Sequence, residues 1–293
     1  MFIATLIAAD RLEAGQVSAA IERLTQAGCA PTASAWIDEG KAADLLFGQM
    51  PDAARAALEG VFPRVDVAVQ SIMSRPKALL IADMDSTMIT IECIDELADY
   101  AGIKPQIAAV TEAAMRGELD FAAALDARVA LLKGLDEAMI DRCLAERVAI
   151  MPGAVALVRT MRARGAATIL VSGGFTRFAE PVAAQIGFDQ VIANRLGIEA
   201  GRLDGTVARP IVDSGTKEAT LLAAIDAKCL SPEATLAVGD GANDLAMIRR
   251  AGLGVAYHAK PVVAAAADVR IDHNDLSALL YVQGIPRRDW IDR

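Results

Sequence analysis

Histidine and cysteine are scarce in this chain of 293 residues, and their scarcity closes several routes. Two histidines, His258 and His273, are too few for a histidine-rich metal site. The four cysteines, Cys29, Cys93, Cys143 and Cys229, lie far apart with no CxxC pair. That spacing excludes a zinc ribbon and argues against a disulfide framework. All four are expected to pack as small buried apolar residues. Basic residues are in deficit, with 29 Lys and Arg against 38 Asp and Glu and a formal net charge of −9. A sequence-independent nucleic-acid binder carries the opposite balance, and no polybasic run is present to meet an anionic membrane. No stretch reaches the roughly 18 apolar residues of a membrane span. The opening MFIATLIAADRLEAG has no basic n-region, and Asp10 and Arg11 cut its apolar run, so it makes a poor signal peptide. A soluble cytoplasmic protein, with no nucleic-acid or membrane partner, is the resulting expectation.

Apolar residues, at 54%, are plentiful enough for a sizeable core and exclude a disordered chain. The length suggests about two domains. Residues 1–75 read as a small unit: strands at Phe2–Ala8, Pro31–Ile37 and Val65–Val69, helices at Val17–Leu24 and Ala53–Val61. An α+β unit of roughly ferredoxin-like type fits, and Ser74–Lys77 reads as a linker. From residue 76 the pattern changes. The runs ALLIA (78–82), ATILV (167–171) and LAV (236–238) each end at a small or polar loop and lead into a helical pattern. After the second run, Phe175, Phe178, Ala179, Val182, Ala183 and Ile186 keep helical spacing. Buried strands alternating with helices predict an α/β, doubly wound, mostly parallel sheet over 76–293, with its chemistry at the carboxyl ends of the strands. Residues 91–150 hold no convincing strand. The stripes Ile94/Leu97/Ala98/Ala101 and Leu125/Val129/Leu132, punctuated by Pro105, Gly117 and Gly134, predict a small helical cap.

Four motifs fall at chemically useful places. Asp83-Met84-Asp85-Ser86-Thr87 follows the first core strand, where two carboxylates two residues apart can meet one cation and one reacting centre. An Asp-rich turn is the plainer reading of such a motif alone. Ser172-Gly173-Gly174 joins a strand to a helix N-terminus, a place that offers free N–H groups and a hydroxyl to an anion. Lys217 opens a helical run at Thr216–Ala227, where a cation opposes the helix dipole; it is either a solvated lysine or one with an anion nearby. Gly239-Asp240-Gly241-Ala242-Asn243-Asp244 permits a tight turn and close backbone approach. In it, Asp240 can join Asp83 around a metal, while Asp244 at a helix start is open to a reading as dipole compensation alone.

In this order, and together with the stretches DMDSTMITIECIDELADYAG, ALDARVALLKGL, LVSGGF and VGDGANDLAMI, these motifs resemble the haloacid-dehalogenase-like phosphohydrolases, within them the group that cleaves O-phosphoserine. The resemblance spans about residues 76–285. Residues 1–75 match loosely the small ACT-like regulatory domain of some members. The resemblance implies that Asp83 is the nucleophile, forming an aspartyl-phosphate and splitting one hard displacement into two easier ones. It implies that Asp85 is the general acid and base, with its proton retained by the crowding of carboxylates. It implies Mg2+, held by the carboxylates of Asp83 and Asp240 and the carbonyl of Asp85. Ser172, the Gly173 N–H, Lys217 and Asn243 would hold the phosphate, and Asp244 would orient Lys217 or a metal-bound water.

O-phosphoserine carries an ammonium and a carboxylate, so a selective site needs an anion and a cation beside the phosphate. Taken alone, Glu92 and Arg128 in the cap read as helix-surface charges; the resemblance makes them the preferred pair, with Met115 and Phe121 either apolar cover or ordinary cap core. The implied reaction yields serine and phosphate, the last step of serine formation. The alternative is another small phosphomonoester such as phosphohomoserine. A serine hydrolase built on Ser172, Asp240 and His273 has a known chain order, but residue 170 is Leu where the nucleophile elbow needs Gly. Residues 1–75 are small enough to gain stability by pairing, which makes a homodimer the partner expectation alongside the small-molecule substrate. His258, His273 and the C-terminal GIPRRDWIDR are assigned no role.

Overall fold

The first apolar run is one of the two inner strands of a four-stranded antiparallel sheet. A computed structural model describes residues 1–116 and 118–292; Gly117 and the side chain of Met115, for which expectations were stated above, lie outside the described residues. The elements run β1 (Phe2–Ala8), α1 (Ala14–Gln26), β2 (Pro31–Asp38), β3 (Ala42–Phe47), α2 (Pro51–Leu58) and β4 (Val65–Ser71), with sheet order β2-β3-β1-β4. Strand β3 was not anticipated. Its sequence AADLLF has the alanine and leucine of a helix former and no β-branched residue, yet Ala42–Phe47 pairs in register with Ile7–Phe2. Alternation along β1 explains its continuous burial. Ala4, Leu6 and Ala8 join Leu24, Leu45 and Leu58 beneath the two helices, whereas Ile7 packs with Ala42 and Ala68 into the larger core behind the sheet.

The contact with that larger core is also polar. Both oxygens of Asp66 accept from the backbone N–H of His273 at 3.2 Å, and Asp66 also accepts from the N–H groups of Asp272 and Asn274. Arg75, in the stretch that the sequence reads as a linker, is mostly buried. It pairs with both oxygens of Asp44 at 2.8 Å and donates to the carbonyls of Tyr281 and Val282. A guanidinium fork matches a carboxylate in this way, and its remaining donors are satisfied by the carbonyls.

The remainder is built on β5 (Leu79–Ala82), then the helices α3 (Cys93–Tyr100), α4 (Lys104–Met115), α5 (Phe121–Leu131) and α6 (Ala138–Glu146). There follow α7 (Ala154–Ala163), β6 (Ala167–Phe175), α8 (Thr176–Ile186), β7 (Gln190–Asn194), β8 (Leu196–Glu199), β9 (Arg202–Val207) and α9 (Ser214–Ala227). The chain closes with β10 (Thr235–Gly239), α10 (Leu245–Arg250), β11 (Gly254–Tyr257), α11 (Pro261–Ala264), β12 (Val269–Ile271) and α12 (Ala278–Val282). Six strands form a parallel sheet in the order β12-β11-β10-β5-β6-β7. The chain steps from β5 to β6 and β7 on one side, then returns to β10 and winds outward on the other. The switch in direction lies between β5 and β10, and a crevice opens above their carboxyl ends.

Helices α3 to α6 are the cap; Ile94, Leu97, Ala98, Leu125, Val129 and Leu132 of the two expected stripes are buried, with Ala101 at the margin. The β8–β9 hairpin, which the sequence reading did not include, ties the cap down. Gly134 N–H donates to Leu203 O at 2.8 Å, and Leu203 N–H donates to Leu135 O at 2.9 Å. Cys29, Cys93 and Cys143 are buried as expected, but Cys229 is exposed, at a left-handed turn (φ 50°) after α9. Among the described residues no helix is long and apolar enough to cross a membrane.

Candidate active site

The loop after β5 is fixed before any side chain is considered. The Asp83 N–H donates to Val238 O at 3.0 Å, continuing the β5–β10 pairing by one residue and setting Asp83 beside Asp240. The carbonyl of Met84 then accepts from Thr87, Met88 and Ile89, which curls the chain tightly. Met84 is fully buried, while the carboxylates on either side of it face a cavity of about 410 Å³.

Carboxylate oxygens of Asp83, Asp240 and Asp244 lie within 4.8 Å of one another, a group able to hold a metal ion. Lys217 settles the charge behind them. Its Nζ, with no solvent exposure, donates to Asp83 Oδ1 at 2.7 Å and to Asp244 Oδ1 at 2.6 Å. The reading of Lys217 as a solvated lysine is therefore excluded, and its place in the first turn of α9 is explained by these two anions. Burial pulls its pKa down, but Asp83 and Asp244 together hold it well above the usual lysine range. Asp244 also accepts from the Gly241 N–H at 3.1 Å, so it clamps the glycine-rich loop to the lysine. Burial and then the charge of Asp83 push the Asp244 carboxyl up to about 7. Asp240 is raised by the same two causes, and its Oδ1 accepts from the buried Thr87 hydroxyl at 3.2 Å.

Ser172 ends the core part of β6, and its Oγ accepts from the Gly174 N–H at 2.9 Å. A Cβ on Gly174 would stand 3.1 Å from Ser172 Oγ and 3.2 Å from Asp85 Oδ2, so glycine keeps this cradle open. Asn194 holds the cradle from behind: its amide donates to Gly173 O at 2.8 Å and its Oδ1 accepts from the Val212 N–H. Asp85 Oδ1 is sealed from solvent with no hydrogen-bond partner among the described residues. Burial, then the charges of Glu92 and Asp83, hold the Asp85 carboxyl well above the usual range.

Glu92 and Arg128 face this centre from the cap, and both line the cavity with Asp83, Asp85, Ser172, Gly173, Asp240 and Asn243. Asp83, Asp85, Glu92, Arg128, Ser172, Gly173, Asp240 and Asn243 thus meet at one cavity, with Lys217 and Asp244 paired behind its wall. Phe121 also lines it and lies against Gly173. Burial lowers the Arg128 pKa, and among the described residues its one hydrogen bond is from Nε to Ala124 O at 3.2 Å, which leaves the rest of its fork to the cavity it lines. His273 does not take part. Its backbone N–H is bound to Asp66 at the sheet-to-core contact, and the residue is not among those lining the cavity that holds Ser172 and Asp240, so a Ser172–Asp240–His273 triad does not form. The sequence reading missed Thr87, Asn194 and Lys260. Thr87 was visible inside the first motif, but Asn194 acts only through backbone atoms distant in sequence. Lys260 reaches the cavity from the loop between β11 and α11, where no periodicity marks it.

A parallel sheet bearing carboxylates, a hydroxyl, a buried lysine and an acidic glycine-rich loop at its strand ends defines a class. The sequence matches the haloacid dehalogenase-like hydrolases over residues 80–249, and the chain belongs to that family. It is 45% identical over 225 residues to the phosphoserine phosphatase SerB2 of Mycobacterium tuberculosis, covering 76% of this chain and 55% of that one. The chain spans little more than half the length of that relative and of the Streptomyces coelicolor phosphoserine phosphatase. Of the phosphoserine phosphatase of Albidiferax ferrireducens it covers 87%, at 47% identity over 69% of this chain. Among solved structures, a probable phosphoserine phosphatase from Vibrio cholerae superposes with a TM-score of 0.78 at 35% identity, over 96% of this chain and 85% of that one.

Proposed function

We propose that this chain hydrolyses O-phosphoserine to serine and phosphate, acting through its residues 76–293. The observation that carries the proposal is the opposition, across one cavity, of the Lys217-held Asp83 and the cap pair Glu92 and Arg128. In the proposed first step an oxygen of Asp83 attacks phosphorus and the bond from phosphorus to the seryl oxygen breaks. Asp85, whose burial favours its protonated form, delivers its proton to the leaving oxygen. In the second step a water attacks the phosphorus of the aspartyl-phosphate, gives its proton to Asp85, and frees Asp83. Ser172, the Gly173 N–H and Asn243 hold the phosphoryl oxygens, Glu92 the ammonium and Arg128 the carboxylate. Phe121 covers the cradle and excludes water. Pairing of two copies is a further part of the proposal, supported by the open edge of β2, where residues 32–36 are exposed.

The donor set available to a cation is all oxygen, which suits Mg2+. With Asp244 spent on Lys217 and the Gly241 N–H, Asp83 and Asp240 are the carboxylates left to hold it, with the Asp85 carbonyl. Mg2+ bound there would supply neutralisation of the repulsion between carboxylate and phosphate dianion. Asp85, Glu92, Asp240 and Asp244 all have raised pKa values in the folded state. The stability tied to their protonation is therefore complete below the unfolded carboxyl value of about 4. It is lost as pH rises through the folded values, about 7 for Asp244. A cation offsets the same repulsion. Mg2+ at saturation is thus expected to raise Tm by about 5 °C at pH 8 and by little at pH 5. Equal shifts at both pH values, or an undiminished shift in Asp240→Asn, would reject this cation site.

The reaction is tested by phosphate release from a panel of small phosphomonoesters with Mg2+. O-phosphoserine is expected to be preferred by about 100-fold in kcat/KM over p-nitrophenyl phosphate, given the two charged groups that only the former offers the cap. Broad activity without preference would leave a phosphatase and remove the roles given to Glu92 and Arg128.

A further inference from the structure

We infer that Ser86 is a positioning residue for Glu92, and that through it the catalytic loop sets the site's preference for phosphomonoesters that carry an ammonium group. The inference rests on the role proposed above for Glu92. Ser86 follows Asp85 directly and has φ 54°, in the left-handed region that glycine adopts freely and serine does not. Serine nevertheless stands there, and both of its polar groups cross to the root of the cap. Its N–H donates to Ile91 O at 3.2 Å, and its Oγ donates to Glu92 Oε1 at 2.7 Å.

Glu92 occupies the N-cap position of α3, yet its side chain makes no capping bond to that helix. It is turned to Ser86 instead and shares the cavity with Asp83, Asp85 and Asp240. The charges of Asp240 and Asp83 repel an ionised Glu92 more than Lys260 attracts it, and a side chain not otherwise retained would swing toward solvent. The Ser86 hydroxyl is the donor that retains it, and a hydrogen bond to an ionised group is among the stronger ones. Held there, Glu92 presents its second oxygen to the cavity on the side of the cap, at a place fixed relative to Asp85 by one intervening peptide. The distance from reacting phosphate to ammonium is then set by the loop that carries the reacting carboxylates rather than by the body of the cap.

The test compares kcat/KM for O-phosphoserine with that for 3-(phosphonooxy)propanoate, the same molecule without its ammonium. Turnover of the second compound reports that each variant is folded. Ser86→Ala is expected to lower the preference about tenfold, the size of one charge-assisted hydrogen bond, with the loss falling on KM for O-phosphoserine. Ser86→Gly, which relieves the backbone and also lacks the hydroxyl, is expected to show the same loss. In a Glu92→Gln background Ser86→Ala is expected to add nothing further. A preference kept in both Ser86 variants but lost in Glu92→Gln overturns this inference alone. A preference absent from wild type, or unchanged in Glu92→Gln, overturns the role of Glu92 and this inference with it.

Discussion

Asp83→Asn is expected to lower phosphate release by at least about 10⁴-fold while leaving the protein folded. The substitution keeps the shape of the side chain and an oxygen that can accept from Lys217 Nζ, now 2.7 Å from Asp83 Oδ1. It removes the charge that the proposed attack on phosphorus requires of that oxygen. Its effect on folding is expected to be small and its direction depends on pH. The charge of Asp83 helps to raise the pKa of Asp85, Asp240 and Asp244. Without it those groups ionise at lower pH, and the repulsion that weakens the cation-free protein above pH 7 is reduced. Tm of Asp83→Asn without Mg2+ is therefore expected to match or exceed wild type at pH 8. Phosphate release within tenfold of wild type, in protein shown to be free of revertant Asp83, would end the assignment of the nucleophile.

Much of this arrangement was legible because each motif follows a strand whose apolar run is unmistakable. The cores of β5, β6 and β10 are buried on both faces, so the runs LLIA, ILV and LAV are apolar throughout, and the polar or small residues that follow each run mark the carboxyl edge of the sheet. Asp83, Ser172 and Asp240 could be placed on one edge of a sheet by that logic alone. β3 could not, because AADLLF states a helical preference that only its pairing with β1 overrides. The β8–β9 hairpin is short and half-exposed, and its role in holding the cap depends on bonds to Gly134 and Leu135 distant in sequence. The contacts of the Ser74–Lys77 stretch between β4 and β5 were hidden for a related reason. Arg75 looks like a surface charge until Asp44 and the carbonyls of α12 are brought to it. Motif spacing located Glu92 and Arg128 in the cap through the family resemblance. That Glu92 is held by Ser86, and that Asp85 owes its raised pKa first to burial, belong to the folded geometry.

Lys217→Met is expected to lower activity by at least about 10³-fold and, unlike Asp83→Asn, to destabilise the protein. Methionine fits the unbranched space of the lysine stem, so the cost is electrostatic rather than steric. Lys217 is completely buried between Asp83 and Asp244, and removing one partner of a buried ion pair costs about 3–5 kcal/mol because it leaves uncompensated charge. The sign with pH follows from the partners. The folded pKa of Lys217 is raised, so its stabilising contribution is complete throughout the range from pH 5 to 8 and does not itself vary there. In the variant Asp83 and Asp244 face each other without a cation. A proton on Asp244, whose carboxyl stands at about 7 even with Lys217 lowering it, offsets the loss fully at pH 5 and less at pH 8, where the destabilisation should be larger. Urea unfolding of the cation-free proteins at the two pH values measures the difference. Adding Asp244→Asn to Lys217→Met removes the second carboxylate and should recover most of the stability. It should recover none of the activity, since Asp83 still lacks the ammonium that aims it and balances charge on the transferring phosphoryl group. A single variant as stable as wild type at pH 8 would show that Lys217 does not hold the carboxylates together. A double variant that regained activity would show that its part in the reaction is only to keep Asp244 from repelling Asp83.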